Sequence, residues 1–169
     1  MIERLVDYGF TLLEIVLVLL LAGMTAMVFG NVVLRYFYNS GIDVSEELSR
    51  FFFVWLSFLG AIVAMRRGLH MGFDLVVSTV PRPVRRMLLF VANGLVVAAC
   101  AILVWGTWKQ SGVTATNHAP VTGLSMIWVF GVVFPSGICI GVIAILRMIG
   151  VVRGTYDPYV VQAGAEARP

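Results

Sequence analysis

The chain has 169 residues, of which 60% are hydrophobic and only 12% are charged. A soluble domain carries about a quarter charged residues, so this balance is typical of a membrane protein and leaves no room for a separate soluble domain. The formal net charge of +3 does not indicate nucleic-acid binding, because arginines that flank membrane spans are expected as topology signals.

Four apolar stretches are long enough to cross a bilayer, which takes roughly 20 residues. They cover about residues 12–34, 47–65, 87–108 and 124–146. The sequence therefore predicts an all-α integral membrane protein with one four-helix membrane domain over residues 1–153. A short, flexible cytoplasmic tail is expected at residues 154–169. The long first helix and the small-residue helix faces favour a flat, tilted array over a compact bundle.

Basic residues are shared unequally between the two sides of the membrane. The side with both termini and the second connection holds nine of the 12 Lys and Arg residues: Arg4, Arg66, Arg67, Arg82, Arg85, Arg86, Arg147, Arg153 and Arg168. The other side holds Arg35, Arg50 and Lys109. The positive-inside rule then predicts that both termini are cytoplasmic. It also makes Arg66, Arg67, Arg82, Arg85 and Arg86 the expected lipid anchors.

The first helix is expected from near Ile2 to about Tyr36. At about 1.5 Å per residue it is longer than a ~30 Å hydrocarbon core, so it must tilt or protrude. Glu14 lies about one turn inside its cytoplasmic boundary. A snorkelling or locally paired glutamate is one interpretation, and an ion-coupling carboxylate is the other.

Charge is concentrated where the first two spans meet. Arg35 closes the first span, and Glu46, Glu47 and Arg50 open the second. Such charges are costly near lipid unless they have partners. Glu46 and Arg50 are four residues apart, which predicts an intrahelical ion pair. Arg35 is then left to pair with Glu47 across the hairpin or to meet a partner chain.

Turn and capping residues join these two spans. Asn39-Ser40-Gly41 is typical of a turn. Asp43 or Ser45 is expected to cap the second helix. Asn31 lies four residues before Arg35 and shares its helix face.

The second half of the chain has one long connection and two more spans. Residues 71–80 predict a short interfacial helix. The third helix is expected from Val84 to Trp108, followed by a polar loop, and the fourth from Leu124 to Arg147. Pro135 favours a kink in the fourth helix, and Gly137 with Gly141 forms a GxxxG pair typical of tight helix packing.

Residues that would indicate catalysis or a bound cofactor are absent from the sequence. No Cys/His cluster has metal-ligand spacing, and His70 and His118 fall on opposite predicted sides of the membrane. No phosphate loop or nucleophile elbow occurs. We therefore expect no enzyme activity and no cofactor, and the profile is that of a subunit.

The hairpin resembles the small membrane subunit (DctQ-like, Q-type) of tripartite ATP-independent periplasmic (TRAP) transporters. The matching residues are Asn31-x3-Arg35-Tyr36, Asn39-Ser40, Ser45-Glu46-Glu47-x2-Arg50-Phe51, Trp55, Gly60-Ala61, Arg66-Arg67 and His70. Span number, chain length and the interfacial segment fit as well, over about residues 10–150.

The resemblance implies a multi-pass protein of the bacterial or archaeal inner membrane that carries no cargo itself. It would scaffold a large, many-span subunit for sodium-driven uptake of organic anions such as dicarboxylates, other carboxylates or sialic acid. A periplasmic binding protein would deliver the substrate, and membrane lipids would surround the assembly. On this chain, Arg35, Glu46, Glu47 and Arg50 would order the periplasmic corner, supported by Asn31 and Trp55.

Two other functions stay open from the sequence. One is a self-contained small four-helix proton-coupled exporter, for which Glu14 would be the embedded carboxylate. The other is a membrane anchor subunit of a redox complex, which would need haem ligands that the two histidines do not provide.

Overall fold

The computed structural model describes residues 2–67 and 81–153. They form five helices: α1 Ile2–Tyr38, α2 Asp43–Arg67, α3 Arg82–Thr116, α4 Met126–Phe130 and α5 Val133–Arg153. Within these ranges β-type pairing is limited to an isolated bridge between His118 and Ser125. The predicted all-α class is confirmed. The interfacial helix expected at residues 71–80 lies outside the described residues.

Four helical stretches are long and apolar enough to cross a membrane, which confirms the predicted number of spans. They are Val6–Tyr38, Asp43–Arg67, Pro83–Thr116 and Met126–Arg153, the last combining α4 and α5. Which side of the membrane each end faces, and whether the helices form a flat array, stay predictions.

Helix α3 is longer than expected at its C-terminal end. We predicted an end at Trp108 followed by a polar loop, but the helix continues to Thr116. Hydroxyl side chains in the extra turns donate to carbonyls of their own helix, as Thr114 Oγ1 does to Gln110 O at 2.9 Å. The change from apolar to polar residues shows where the membrane-spanning stretch ends. The helix can continue beyond that point, because its polar side chains form hydrogen bonds within the helix.

The fourth span is interrupted before Pro135 and near its beginning, whereas the sequence favoured a kink near the middle of the helix. Helix α4 ends at Phe130 and α5 begins at Val133. Pro135 has no N–H and its ring crowds the carbonyl four residues earlier, which falls on Gly131. A Cβ at Gly131 would lie only 2.6 Å from Ile127 O, so a glycine suits this break.

The described residues divide into two units. The first holds residues 2–63 and 105–136, and the second holds residues 64–67, 81–104 and 137–153. Buried polar side chains are prominent in the first unit, where Asn31, Glu47 and Ser49 are all below a tenth exposed.

The second unit is packed through small residues. Ala144 is fully buried, and a Cβ at Gly137 would lie 2.7 Å from Val104 Cγ2. At Gly141 the nearest atom, Cys100 Cβ, would be 3.7 Å away. The GxxxG pair therefore faces α3, and its first glycine makes the closer approach.

Candidate functional site at the α1–α2 hairpin

The hairpin turn is held by a side chain from α1. Helix α1 ends at Tyr38, and Asn39 takes a left-handed conformation (φ 52°) that asparagine tolerates at a helix C-terminus. Asn31 is 8% exposed. Its Oδ1 accepts from Ile42 N at 2.7 Å, and its Nδ2 donates to Glu46 Oε1 at 3.2 Å. One buried amide thus fixes both the turn and the first turn of α2.

The predicted capping of α2 by Asp43 or Ser45 was wrong. Ser45 Oγ donates to Met27 O of α1 at 2.9 Å, and the Asp43 side chain makes no hydrogen bond with another described residue. The N–H immediately before α2, that of Ile42, is satisfied by Asn31 instead. A side chain from the neighbouring helix therefore does the work of a local cap.

Glu47 is the most deeply buried charged residue among those described, at 2% exposed. Its Oε2 accepts from Val121 N at 2.9 Å and its Oε1 from Thr122 Oγ1 at 2.9 Å. Both donors belong to the connection between α3 and α4, residues 117–125, which we call the α3–α4 loop. The carboxylate therefore clamps this loop to the beginning of α2, across 74 and 75 residues of sequence.

The α3–α4 loop is itself closed by backbone hydrogen bonds. Ala119 N donates to Leu124 O at 2.8 Å, and Gly123 N donates to Ala119 O at 3.0 Å. Gly123 has a positive φ of 68°, which glycine adopts without strain. Ala119 is 3% exposed. The loop therefore presents the Val121 N–H and the Thr122 hydroxyl to Glu47 from a fixed backbone.

The predicted ion pair between Glu46 and Arg50 does not form, and neither does the pair between Glu47 and Arg35, which was one of two alternatives for Arg35. The other alternative, a partner chain for Arg35, stays a prediction. Glu46 bonds to Asn31 rather than Arg50, and Glu47 bonds to the α3–α4 loop rather than Arg35. Arg35 and Arg50 are exposed and make no hydrogen bond or ion pair with another described residue. Each oxygen of the Glu47 carboxylate accepts a directed hydrogen bond, so an arginine is not required as a hydrogen-bond donor to it.

Trp55 links α2 to the fourth span. Its Nε1 donates to Trp128 O of α4 at 3.3 Å, and the ring is about a third exposed. A buried or half-buried indole N–H usually finds an acceptor, and here the acceptor is a carbonyl just before the break between α4 and α5. Asn31, Glu47 and Trp55 thus tie α2 to three other segments of the first unit.

The predicted lipid anchors lie at helix ends. Arg66 and Arg67 are in the last turn of α2, and Arg82, Arg85 and Arg86 are in the first turns of α3. Their contact with lipid stays a prediction.

Arg147, in the second unit, was counted in the sequence analysis as a basic residue but was not predicted to have a structural role. Arg147 Nη2 of α5 donates to Met65 O and, at 3.2 Å, to Arg66 O, both near the end of α2. The last carbonyls of a helix have no partner within that helix, and a cation there also suits the negative end of the helix dipole.

The chemistry available at the hairpin is structural. The Glu47 carboxylate is closed off from solvent and fully engaged by protein donors. Among residues 2–67 and 81–153, no group of three His, Cys, Asp or Glu side chains is placed to hold a metal ion. The role of the hairpin residues as an interface stays a prediction.

Replacing Asn31 with aspartate is expected to lower the free energy of unfolding by about 1–3 kcal/mol. The aspartate keeps an oxygen for Ile42 N but loses the donor to Glu46 Oε1, and it places two carboxylates side by side. Thermal unfolding in detergent measures the change. Asn117→Asp is the matched control, because Asn117 is exposed and its side chain makes no hydrogen bond with a described residue. Equal melting temperatures for the two variants would contradict the role of Asn31.

All residues of this site lie within a match to a known protein family. Residues 24–154 match the family described as tripartite ATP-independent periplasmic transporters, DctQ component. Two proteins of Haemophilus influenzae named as TRAP transporter small permease proteins are each 36% identical, over 140 and 118 residues. The first alignment covers 83% of this chain and 87% of the relative, and the second covers 70% and 72%.

A third relative, the C4-dicarboxylate TRAP transporter small permease protein of Vibrio cholerae, is 29% identical over 96 residues, which are 57% of this chain and 41% of that protein. The family match spans the hairpin, the α3–α4 loop and Arg147, and the two Haemophilus proteins align with most of the chain. The chain therefore belongs to the DctQ family, the small permease subunits of TRAP transporters.

Proposed function

We propose that this small permease subunit is a static brace for the large, many-span subunit of its transporter. The assembly would take up organic anions that a periplasmic binding protein delivers, driven by a sodium gradient. Dicarboxylates, other carboxylates and sialic acid are the substrate classes we propose. Both termini would be cytoplasmic, which would place the hairpin and the α3–α4 loop on the periplasmic side.

The family match over residues 24–154 carries this proposal. The geometry of the first unit supports it, because three of its buried or half-buried polar side chains bond to other segments of the protein. Glu47 holds the α3–α4 loop, Asn31 holds the turn, and Trp55 holds α4. Such contacts stiffen the first unit and engage these polar groups with protein, so a partner would bind the substrate.

The outward faces of the helices fit an assembly within lipid. The most apolar window of α1 contains no buried residue, and many of its large apolar side chains are exposed. In a membrane these side chains face lipid or another membrane subunit. The self-contained exporter and the redox anchor have no such support, since the relatives are named as transporter subunits.

Reconstitution in vesicles tests the proposal. Vesicles with this chain, the large subunit and the binding protein are expected to take up a radiolabelled organic anion when a sodium gradient is applied. Omitting this chain is expected to abolish uptake, and the chain alone is expected to move nothing. Solute movement by the chain alone would overturn the brace, and uptake without a sodium gradient would overturn the coupling.

A further inference from the structure

A groove runs between α1 and α2 below the hairpin turn. It consists of a 130 Å³ pocket beside Arg35 and a shallow, open depression of 460 Å³ beside Arg50, which share Val28 and Glu46. Met24, Val28 and Phe53 give it apolar walls, and Arg35, Glu46 and Arg50 give it charge. We call it the α1–α2 groove, and all of it lies in the first unit.

The charges of this groove are incompletely matched by the protein. Arg35 and Arg50 bond to no other described residue. Glu46 uses Oε1 for Asn31 Nδ2, and its Oε2 has no partner among the described residues. The groove therefore offers two guanidinium groups and one carboxylate oxygen to a ligand, above an apolar floor.

The spacing of Arg50 and Arg66 along α2 indicates that the charge of Arg50 needs a partner. Arg50 precedes Arg66 on α2 by about 24 Å at 1.5 Å per residue, whereas the hydrocarbon core is about 30 Å thick. The backbones of the two residues therefore cannot both lie at the level of the lipid phosphates, and at least one side chain must extend towards them. A guanidinium at the edge of hydrocarbon snorkels towards a phosphate, which it binds through two parallel hydrogen bonds.

The order of the charges indicates which lipid fits. Glu46 is one helical turn nearer the hairpin than Arg50, so moving outward along α2 the groove shows a cation and then an anion. An ethanolamine headgroup has the complementary order, a phosphate at the glycerol and a primary ammonium beyond it. A glycerol headgroup has no positive group of its own to place against the free Glu46 oxygen.

We propose that the α1–α2 groove binds one phosphatidylethanolamine molecule. Its phosphate lies at Arg50, its ammonium at Glu46, and an acyl chain lies along Met24, Val28 and Phe53. Arg35 lines the smaller pocket together with Glu46, so a second guanidinium is available to the phosphate. In the orientation proposed above, this lipid belongs to the periplasmic leaflet.

Photolabelling tests the proposal on the full chain purified with its large subunit. The complex is placed in phosphatidylcholine vesicles that hold a trace of phosphatidylethanolamine with a photoactivatable acyl chain, and labelled peptides are mapped by mass spectrometry. Label is expected on the peptides with Met24 and Phe53. Arg50→Gln is expected to reduce it about tenfold, the loss of one charge-assisted hydrogen bond pair.

Lys109→Gln is the matched control, because the Lys109 Nζ lies 4.8 Å from the centroid of the Trp105 ring and outside the groove. Unlabelled phosphatidylethanolamine is expected to suppress labelling of the unmodified protein, which keeps the test valid if Arg50→Gln fails to fold. Labelling that is unchanged in Arg50→Gln, or stronger with a phosphatidylglycerol probe, would overturn the proposal. Absence of label on the peptides with Met24 and Phe53, as expected if the large subunit covers the groove, would also overturn the proposal. The proposal rests on the proposed assembly with a large subunit, but the readout is labelling and not transport. A failure of lipid binding is therefore distinguishable from a failure of the proposed function, which reconstituted uptake tests.

Discussion

Replacing Glu47 with alanine is expected to lower the free energy of unfolding by about 3 kcal/mol, since it removes two hydrogen bonds to a charged acceptor. The Val121 N–H and the Thr122 hydroxyl would lose their acceptor at a site where the glutamate is 2% exposed. The α3–α4 loop would be released from α2. Thermal unfolding of the purified subunit measures the stability, and uptake in the reconstitution assay of the proposed transporter is expected to fall.

Two further variants separate the clamp from general charge effects. Glu47→Gln keeps one acceptor oxygen but turns an amide donor towards a second donor, so an intermediate loss is expected. Asp43→Ala removes an exposed acid from the first turn of the same helix, where it has no hydrogen-bond partner among the described residues, and is expected to be nearly neutral. A Glu47→Ala protein that melts and transports like the Asp43→Ala protein would show that the clamp is dispensable.

Replacing Arg147 with glutamine is expected to cost about 2 kcal/mol of unfolding free energy. The guanidinium donates to Met65 O and Arg66 O, and these carbonyls lie in the last turn of α2, where the helix supplies no donors of its own. Losing the positive charge also removes a favourable interaction with the helix dipole. Thermal unfolding gives the loss of stability, and faster amide hydrogen exchange is expected in the last turns of α2.

Arg153→Gln is the control for this variant. Arg153 is in the last turn of α5 and is exposed, so its loss changes the net charge equally without removing a donor to α2. Arg147→Lys is expected to fall between the two, because an ammonium retains the charge but not the planar fork of donors. If Arg147→Gln and Arg153→Gln unfold at the same temperature, the contact with α2 contributes nothing.

The helices themselves were largely predictable from the sequence. Apolar runs of about 20 residues have few structures open to them in lipid, because a helix satisfies every backbone group internally. The turn at Asn39-Ser40-Gly41 was predicted for a similarly local reason. The extension of α3 to Thr116 was missed because hydropathy reports the edge of the membrane rather than the end of a helix.

The partners of the hairpin charges were not predictable in the same way. Spacing along α2 favoured an ion pair between Glu46 and Arg50, and proximity favoured Arg35 for Glu47. In the fold, Glu46 turns to Asn31 and Glu47 to the α3–α4 loop. Local spacing gives the pairs that are possible, whereas burial and long-range hydrogen bonds choose among them.

What the sequence determined by itself was the membrane class, the four spans and the family, since these depend on apolar length and on a short charged pattern within one hairpin. What only the tertiary structure decided was the use of each polar group. Val121 and Thr122 reach Glu47 across more than 70 residues of chain, and Arg147 reaches the end of α2 across 81 and 82. Contacts of that separation leave no periodicity in the sequence, because they depend on which faces of the helices meet.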